Sequence, residues 1–392
     1  MIDKLRVRNF RCLRDVEVPL GPLNFLIGPN NTGKSSLLDA VQLLWDVTEC
    51  NSVLDAFKRS QLGFDRVVTG GDTTRRLIFD VEASWESAEG PGWVSSYLLS
   101  LAQPGDHPEV LSDQVAVKQR DGGSPVSFRR IAGNYFEVVR PDGAREKRNL
   151  VYNQGTILRS LIEQAGNECS GLISAVRCTP KYSLDPEKMA VPCQVQPFTQ
   201  LASDGSGLTS CLENLRELAP ERFRELEAAL KLFVDSVEAV TFPAVALGQK
   251  AVLFHEKPTG YKIPASEASD GLLLFLGYLT IAYVHGDASV MLIEEPETGV
   301  HPHRLKAIVE LLRAISRGAL GGRPVQVIAT SHSPALLDCC GKEEIIVFQR
   351  DKQGDVHATP LAQVKDVDDL LKDFRPGELI NTMGEGICES PS

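Results

Sequence analysis

The sequence predicts an α/β fold that combines a mostly parallel core sheet, an antiparallel β lobe and a helical insert. First, a short apolar strand at 23–27 runs directly into a glycine-rich loop at 28–36, and a helix follows. Second, apolar strands alternate with helices from about residue 264 onward, which is typical of parallel sheets. Third, strand-like runs within residues 62–150 are separated by glycine and proline turns, which indicates antiparallel pairing.

We expect one composite domain made of four segments, each with its own pattern of apolar residues. The first contains the N-terminal strands and the glycine-rich loop, the second is the β lobe, the third is the helical insert, and the fourth is the C-terminal lobe. The segments are 1–61, 62–153, 154–262 and 263–392.

Individual elements follow from the same patterns. Alternation predicts a strand or hairpin over 5–18, and apolar spacing predicts the helix after residue 36. Strands are expected at 77–83, 115–117, 135–139, 290–293, 325–330 and 345–348. Helices are expected at 154–180, 207–235, 302–317 and from residue 271, with a loop at 180–197.

Composition is that of a globular protein: of 392 residues, 43% are hydrophobic and 24% charged. The net charge of −11 disfavours a surface that coats nucleic acid non-specifically, although a local basic groove is compatible with it. The nine cysteines are odd in number and show no Cys-x-x-Cys spacing, so we expect free thiols and no structural metal.

Two observations bear on location. The N-terminus lacks the apolar region of a signal peptide. The longest apolar run, 272–284, is shorter than the roughly 18 residues of a spanning helix, so we expect a buried helix there. These patterns predict a cytoplasmic protein without a membrane partner.

The loop at 28–36 matches the pattern Gly-x4-Gly-Lys-Ser, which marks a phosphate-binding loop between a strand and a helix. Glycines let backbone N–H groups face the phosphates, and the helix N-terminus adds a favourable dipole. We expect Lys34 to reach the β- and γ-phosphates of ATP and the Ser35 hydroxyl to bind Mg²⁺. The candidate nucleotide-binding residues are Gly28, Pro29, Asn30, Asn31, Thr32, Gly33, Lys34, Ser35 and Ser36.

Two glutamates follow the apolar strand at 290–293, at the end of a strand where ligands bind in open α/β sheets. Glu294 is predicted to hold Mg²⁺ through water, and Glu295 to polarise the attacking water as general base. Alone, such a pair would be an ordinary solvated strand end, but a phosphate-binding loop accompanies it. His332 follows the next strand and is predicted to contact the γ-phosphate, so Glu295, His332 and Lys34 are the candidate catalytic residues.

Ser269, Asp270 and Gly271 open the buried helix. Ser269 can cap that helix, and the helix N-terminus can also bind the γ-phosphate of a partner subunit; both roles are compatible.

Two further motifs are interpreted as structural. The Asp366-Val367-Asp368 run resembles the acidic pair of metal-dependent nucleases but lies at a helix start, which favours a solvated carboxylate pair. His301 and His303 flank a proline, which favours a turn over a metal site.

Taken together, these motifs resemble the RecF/SMC/OLD branch of ABC-type ATPases, and most closely its stand-alone ATPases without coiled coil or nuclease domain. The likeness covers nearly the whole chain. It is carried by Asn-Phe-Arg at 9–11, Gly-Pro-Asn-Asn-Thr-Gly-Lys-Ser-Ser at 28–36, Asp-Gly-Ser-Gly-Leu at 204–208, Ser-Asp-Gly at 269–271, Ile-Glu-Glu-Pro-Glu-Thr-Gly-Val-His-Pro at 293–302, Ala-Thr-Ser-His-Ser-Pro at 329–334 and Pro-Gly-Glu-Leu at 376–379.

The resemblance implies a P-loop head of the ABC type, two copies of which sandwich two ATP molecules. Ser269, Asp270 and Gly271 would be the signature that completes the partner subunit's ATP site, and Glu297 to Val300 the loop that crosses the dimer interface. Gln61 is the candidate for the glutamine that links Mg²⁺ to the lobe junction.

Two positions next to the signature depart from the branch. Ala268 stands before the serine, where leucine is usual, and Leu272 follows the glycine, where a polar residue is common. By the same resemblance, the absence of a long coiled coil and of a nuclease domain disfavours a cohesin-like tether and cleavage by this chain alone.

We therefore expect an ATP-hydrolysing switch that forms a homodimer on binding ATP, linked to DNA maintenance or phage defence. A separately encoded effector such as a nuclease is the expected partner, and DNA is a further candidate partner. The alternative is a non-enzymatic scaffold that ATP locks around a toxin-like protein, although an intact Glu295 and His332 disfavour it. The motor subunit of a membrane transporter fits the signature poorly.

Overall fold

The structure is a computed structural model that describes residues 1–86, 91–131, 133–163, 168–197, 200–284 and 288–383. Its strands are β1 (Ile2–Phe10), β2 (Leu13–Pro19), β3 (Leu23–Ile27), β4 (Leu77–Trp85), β5 (Trp93–Ala102), β6 (Glu109–Gln119), β7 (Val126–Ile131), β8 (Tyr135–Val139), β9 (Arg145–Asn149), β10 (Cys178–Tyr182), β11 (Cys193–Gln194), β12 (Val237–Thr241), β13 (Ala244–Ala246), β14 (Gln249–Lys250), β15 (Leu253–Glu256), β16 (Lys262–Pro264), β17 (Val290–Glu294), β18 (Gln326–Thr330), β19 (Ile345–Arg350) and β20 (Val356–Pro360).

The α-helices complete the α/β composition that the sequence predicts. They are α1 (Lys34–Glu49), α2 (Val53–Arg59), α3 (Phe64–Val67), α4 (Ile157–Ile162), α5 (Ser170–Val176), α6 (Pro186–Met189), α7 (Leu208–Leu218), α8 (Pro220–Phe233), α9 (Asp270–Val284), α10 (Leu305–Ser316), α11 (Pro334–Leu337), α12 (Val367–Asp373) and α13 (Pro376–Met383). No helix within the described ranges combines the length and the apolar character that crossing a membrane requires.

The chain divides into two compact units. The first comprises residues 1–178 and 343–367, and the second comprises residues 179–342 and 368–383. Residues 384–392, which include Cys388, lie outside the described residues. The predicted division into four segments stays a prediction.

The first unit contains an antiparallel sheet in the order β2-β1-β4-β5-β6-β7-β8-β9. The predicted strands of the β lobe are present, and the N-terminal hairpin β1–β2 extends the same sheet because β1 pairs with β4. In this unit β3 also pairs in parallel with β19, and β19 pairs in antiparallel with β20. The apolar face of α1 is buried as expected, from Leu37 to Trp45.

The second unit contains the parallel pair β17 and β18, with β10 beside β17. Helix α9 is buried over Leu272–Tyr283, which confirms the predicted buried helix. Its apolar residues surround the helix rather than form one stripe, because neighbours cover every side.

Two predictions for residues 154–262 were wrong. This segment is not simply helical, because the strands β10 to β15 lie in it and β16 begins at its end. These strands have two to five residues and too few alternating positions to stand out in the sequence. The stretch 180–197 is not a continuous loop: β10 runs through Pro180, and α6 and β11 follow. Pro180 misled the prediction because proline within a run is typical of strand edges and turns.

The eight cysteines among the described residues are free thiols. Burial raises the pKa of the Cys211 thiol to about 12, so it is inert at neutral pH.

Candidate functional site

The predicted site residues fall into two groups, one in each unit. In the first unit, the loop at 28–36 connects β3 to α1. Its backbone has positive φ angles at Gly28 (148°), Asn31 (65°) and Gly33 (95°). A Cβ on Gly28 would overlap the carbonyl oxygen of Phe348, and one on Gly33 would lie 2.6 Å from Leu13 Cδ2. The backbone conformation therefore favours glycine at both positions, and at Gly28 the space does so as well.

Lys34 is the first residue of α1, and only 5% of it is exposed. Its Nζ donates hydrogen bonds to the carbonyl oxygens of Gly28 (2.6 Å) and Pro29 (2.8 Å). The Thr32 hydroxyl donates to the Pro29 oxygen at 2.9 Å. The ammonium group is thus held within the loop at the N-terminus of a helix, where backbone N–H groups and the helix dipole favour an anion. This cradle fits the phosphates of a nucleotide, and the exposed Ser35 hydroxyl suits Mg²⁺.

A second cation contacts the same loop and was missed by the sequence analysis. Arg350 of β19 donates to the carbonyl oxygen of Asn31 from Nε (2.9 Å) and Nη2 (2.7 Å), and from Nη1 to Gly354 O (2.9 Å). The contact joins residues 319 positions apart, so no local pattern signals it. Asn31, whose carbonyl accepts these bonds, is one of the loop residues with a positive φ.

Gln61, the predicted Mg²⁺-linked glutamine, lies just beyond α2 with a φ of 53° and is exposed. It lines an open cleft of about 540 Å³ with Lys58 and Asp106, among others. Its role at Mg²⁺ stays a prediction.

The second unit holds the acidic residues. Glu294 ends β17, and its Oε1 lies 3.2 Å from Nζ of Lys181 on β10. Both side chains are 23% exposed. Lys181 was missed because it lies in the stretch that was predicted to be a loop. An accessible carboxylate at a strand end is a hard oxygen ligand that suits Mg²⁺ directly or through water.

Glu295 adopts a φ of 46°, which is uncommon for a residue with a side chain. Its N–H donates to the carbonyl oxygen of Thr330 at 3.1 Å and also points to Thr330 Oγ1 at 3.3 Å. The last residue of β18 thereby fixes the backbone, and the carboxylate stays half exposed. Glu295 Oε1 lies 3.6 Å from His332 Nε2. The two predicted catalytic side chains therefore face each other.

Glu297 connects the turn after β17 with the turn after β18. Its Oε1 accepts hydrogen bonds from the Ser331 hydroxyl and from the His332 N–H, both at 2.8 Å. The sequence analysis placed Glu297 only in an interface loop and gave it no contact with His332. Its position two residues after Glu295 was the one available signal.

The predicted signature lies at the start of α9. The Ser269 hydroxyl accepts a hydrogen bond from Leu272 N at 3.4 Å, which is the geometry of a helix cap. Ser269 and Asp270 are exposed. Gly299 of the loop at 297–300 is next to Asp270, since a Cβ on Gly299 would lie 3.5 Å from the Asp270 Cβ. The signature and the predicted interface loop are therefore neighbours within this unit.

The two motifs that were interpreted as structural lie where a 3₁₀ turn and a helix begin. His301 and His303 stack with ring centroids 5.2 Å apart at the start of a short 3₁₀ turn. Asp368 lies in the first turn of α12 and pairs with Lys342. Across the described ranges, no three His, Cys, Asp or Glu side chains are grouped to hold a metal ion.

Two family models match this chain, one within the first unit and one within the second. A family model described as "AAA ATPase domain" matches residues 1–79. Another, described as "AAA domain, putative AbiEii toxin, Type IV TA system", matches residues 197–338. The first match contains the phosphate-binding loop, and the second contains Ser269, Glu295 and His332.

Three relatives extend these matches. The OLD nuclease of Thermus scotoductus is 23% identical over 363 residues, which cover 90% of this chain and 62% of that protein. An ATP/GTP phosphatase of Helicobacter pylori is 21% identical over 359 residues, 86% of this chain and 87% of that protein. The DNA replication and repair protein RecF of Magnetococcus marinus is 48% identical over 44 residues, 11% of this chain and 12% of that protein.

These matches confirm the predicted kinship with ABC-type ATPases of the RecF/SMC/OLD branch. The chain spans less than two thirds of the length of the OLD nuclease.

Proposed function

We propose that this protein binds Mg-ATP on the loop at 28–36 and hydrolyses it with Glu295 as general base. The observation that carries this proposal is the Glu295–His332 pair, in which a half-exposed carboxylate faces an imidazole at 3.6 Å. The family matches around both residue groups support an ATPase.

The roles follow from the side chains. Lys34 contacts the β- and γ-phosphates, and Ser35 and Glu294 provide oxygen for Mg²⁺, directly and through water. Glu295 accepts a proton from the water that attacks the γ-phosphorus. As the new P–O bond forms, the bond to the β-phosphate oxygen breaks, which yields ADP and phosphate. His332 orients the γ-phosphate and the water. Replacing Glu295 by glutamine should stop turnover and leave ATP binding intact.

We further propose that ATP drives two copies together through the signature. Ser269 and Asp270 are exposed at the N-terminus of the 15-residue helix α9, where a γ-phosphate of the partner subunit would be favoured. The neighbouring Gly299 has a φ of 78° and places the loop at 297–300 against Asp270. A paired site of this kind suits a switch.

Molecular mass with and without ATP tests the dimer. We expect the Glu295→Gln variant to form a dimer only with Mg-ATP, and Ser269→Arg to remain a monomer that still binds ATP, because the longer cation blocks the signature surface. Equal ATP turnover in wild type and Ser269→Arg would contradict a shared site.

The partner of the switch is proposed to be DNA or a separate effector such as a nuclease, in DNA maintenance or defence. The names of two relatives, a nuclease and a DNA replication and repair protein, support it. We expect DNA or the effector to change the ATPase rate. Turnover that is very slow and unchanged in Glu295→Gln would instead favour the ATP-locked scaffold around a toxin-like protein.

A further inference from the structure

One side chain connects the turns on which Glu295 and His332 lie. Glu297 follows β17 by three residues, whereas Ser331 and His332 follow β18. Both donate to the same Glu297 oxygen at 2.8 Å, across 34 and 35 residues of sequence. We propose that Glu297 is a positioning residue that orients His332 toward Glu295, an inference that rests on the proposed ATPase function.

The contacts around Ser331 show that the turn is fixed through its backbone. Ser331 is fully buried, and its hydroxyl donates to Glu297 while it accepts from Ser333 N at 3.1 Å. The Ser333 hydroxyl in turn caps α11 by accepting from Leu336 N at 3.2 Å. The His332 backbone is therefore held on both sides, whereas its imidazole is 39% exposed. Such an arrangement orients a side chain and leaves it free to contact a ligand.

The two carboxylate oxygens of Glu297 have different surroundings, which allows a variant to separate their roles. Oε2 is buried, and no hydrogen-bond partner for it lies within the described residues. The charge of Glu297 also reaches the buried Tyr278 of α9, whose pKa is raised by burial first and by this charge second. Since Oε1 alone accepts from Ser331 and His332, a glutamine that keeps one accepting oxygen preserves the positioning contacts.

Steady-state kinetics separates positioning from binding. We expect Glu297→Ala to lower kcat about 10-fold to 100-fold, because His332 loses its fixed orientation in the transition state. The KM for ATP should stay within about twofold of wild type, since the loop at 28–36 binds the ground state. Glu297→Gln should recover most of the rate. Glu310→Ala is the matched control, because it removes an exposed glutamate of the same unit that pairs with Arg313.

A double variant makes the test decisive. If Glu297 acts through His332, then Glu297→Ala combined with His332→Ala should be no slower than His332→Ala alone. Multiplied losses, or a glutamine variant as slow as the alanine variant, would overturn the inference. Turnover that does not depend on Glu295 would instead count against the proposed function.

Exchange of the His332 amide hydrogen tests the contact without catalysis. It should accelerate in Glu297→Ala and stay slow in Glu297→Gln, and unchanged exchange in both would also overturn the inference.

Discussion

The loop at 28–36 and the two turns at 294–297 and 331–333 hold their functional groups in different ways. The loop depends mainly on backbone conformation, with three positive φ angles and a Phe348 carbonyl oxygen where a Cβ on Gly28 would lie. The turns depend mainly on side chains, because Glu297 accepts from Ser331 and His332 and the Thr330 hydroxyl accepts from the Glu295 N–H. A methyl group added to a glycine should therefore act mainly on the loop, and the loss of Glu297 mainly on the turns.

The two regions also differ in whether their carboxylates are buried or exposed. The helix that begins at the loop carries a buried carboxylate, Asp46, which is 3% exposed and lies 3.3 Å from Arg59 Nε. In the turns, Glu294 and Glu295 keep contact with solvent. The loop and the helix that follows it should therefore respond to pH through folding stability, whereas the turns carry exposed acids.

The largest expected effect on ATP binding is that of a single methyl group on the loop. Gly28→Ala should weaken ATP binding by at least about 100-fold, because its Cβ would overlap the Phe348 carbonyl oxygen and strain the backbone. Isothermal titration with ATP measures the loss. Gly105→Ala is the matched control in the same unit, since nothing lies within 4 Å of its Cβ. Equal affinity of the two variants would refute the backbone account.

A smaller effect should follow from Asp46. Burial, opposed by Arg59 and reinforced by Glu49, raises the pKa of Asp46 to about 6, so the folded protein binds its proton more tightly than the unfolded chain does. This group's contribution to stability is therefore complete below about pH 4 and is lost as pH rises to about 6.

An asparagine side chain at this position would mimic the protonated acid at every pH. Asp46→Asn should therefore raise the Tm by about 2–4 °C at pH 8 and leave it unchanged near pH 4. Thermal unfolding at both values checks this. An equal difference in Tm at both pH values would show that folding does not raise the pKa of Asp46.

The sequence predicted those parts of the site that local chemistry determines. The loop at 28–36 is recognisable because glycines, Lys34 and Ser35 are required at fixed spacing between a strand and a helix. Glu295 and His332 are recognisable as candidates because each lies two residues after an apolar strand segment. In the same way, the buried helix α9 is predictable from an apolar run that continues around all its sides.

The features that the sequence analysis missed depend on contacts between residues that are far apart in the sequence. The bonds of Arg350 to Asn31 and of Lys181 to Glu294 join segments more than 100 residues apart. The strands β12 to β16 have only two to five residues, so pairing rather than periodicity makes them strands. Because Pro180 indicated a loop, the sequence analysis missed β10 and therefore also Lys181, the cation beside Glu294.

The most direct test of the central claim is ATP binding and steady-state turnover of wild type, Glu295→Gln and Lys34→Ala with Mg²⁺. We expect Glu295→Gln to bind ATP like wild type and to hydrolyse it about 10²-fold to 10⁴-fold more slowly, because it lacks the general base. Lys34→Ala should lose about 10-fold to 100-fold in ATP affinity, as a charged donor is removed. Hydrolysis by Glu295→Gln at the wild-type rate would contradict the assignment of Glu295.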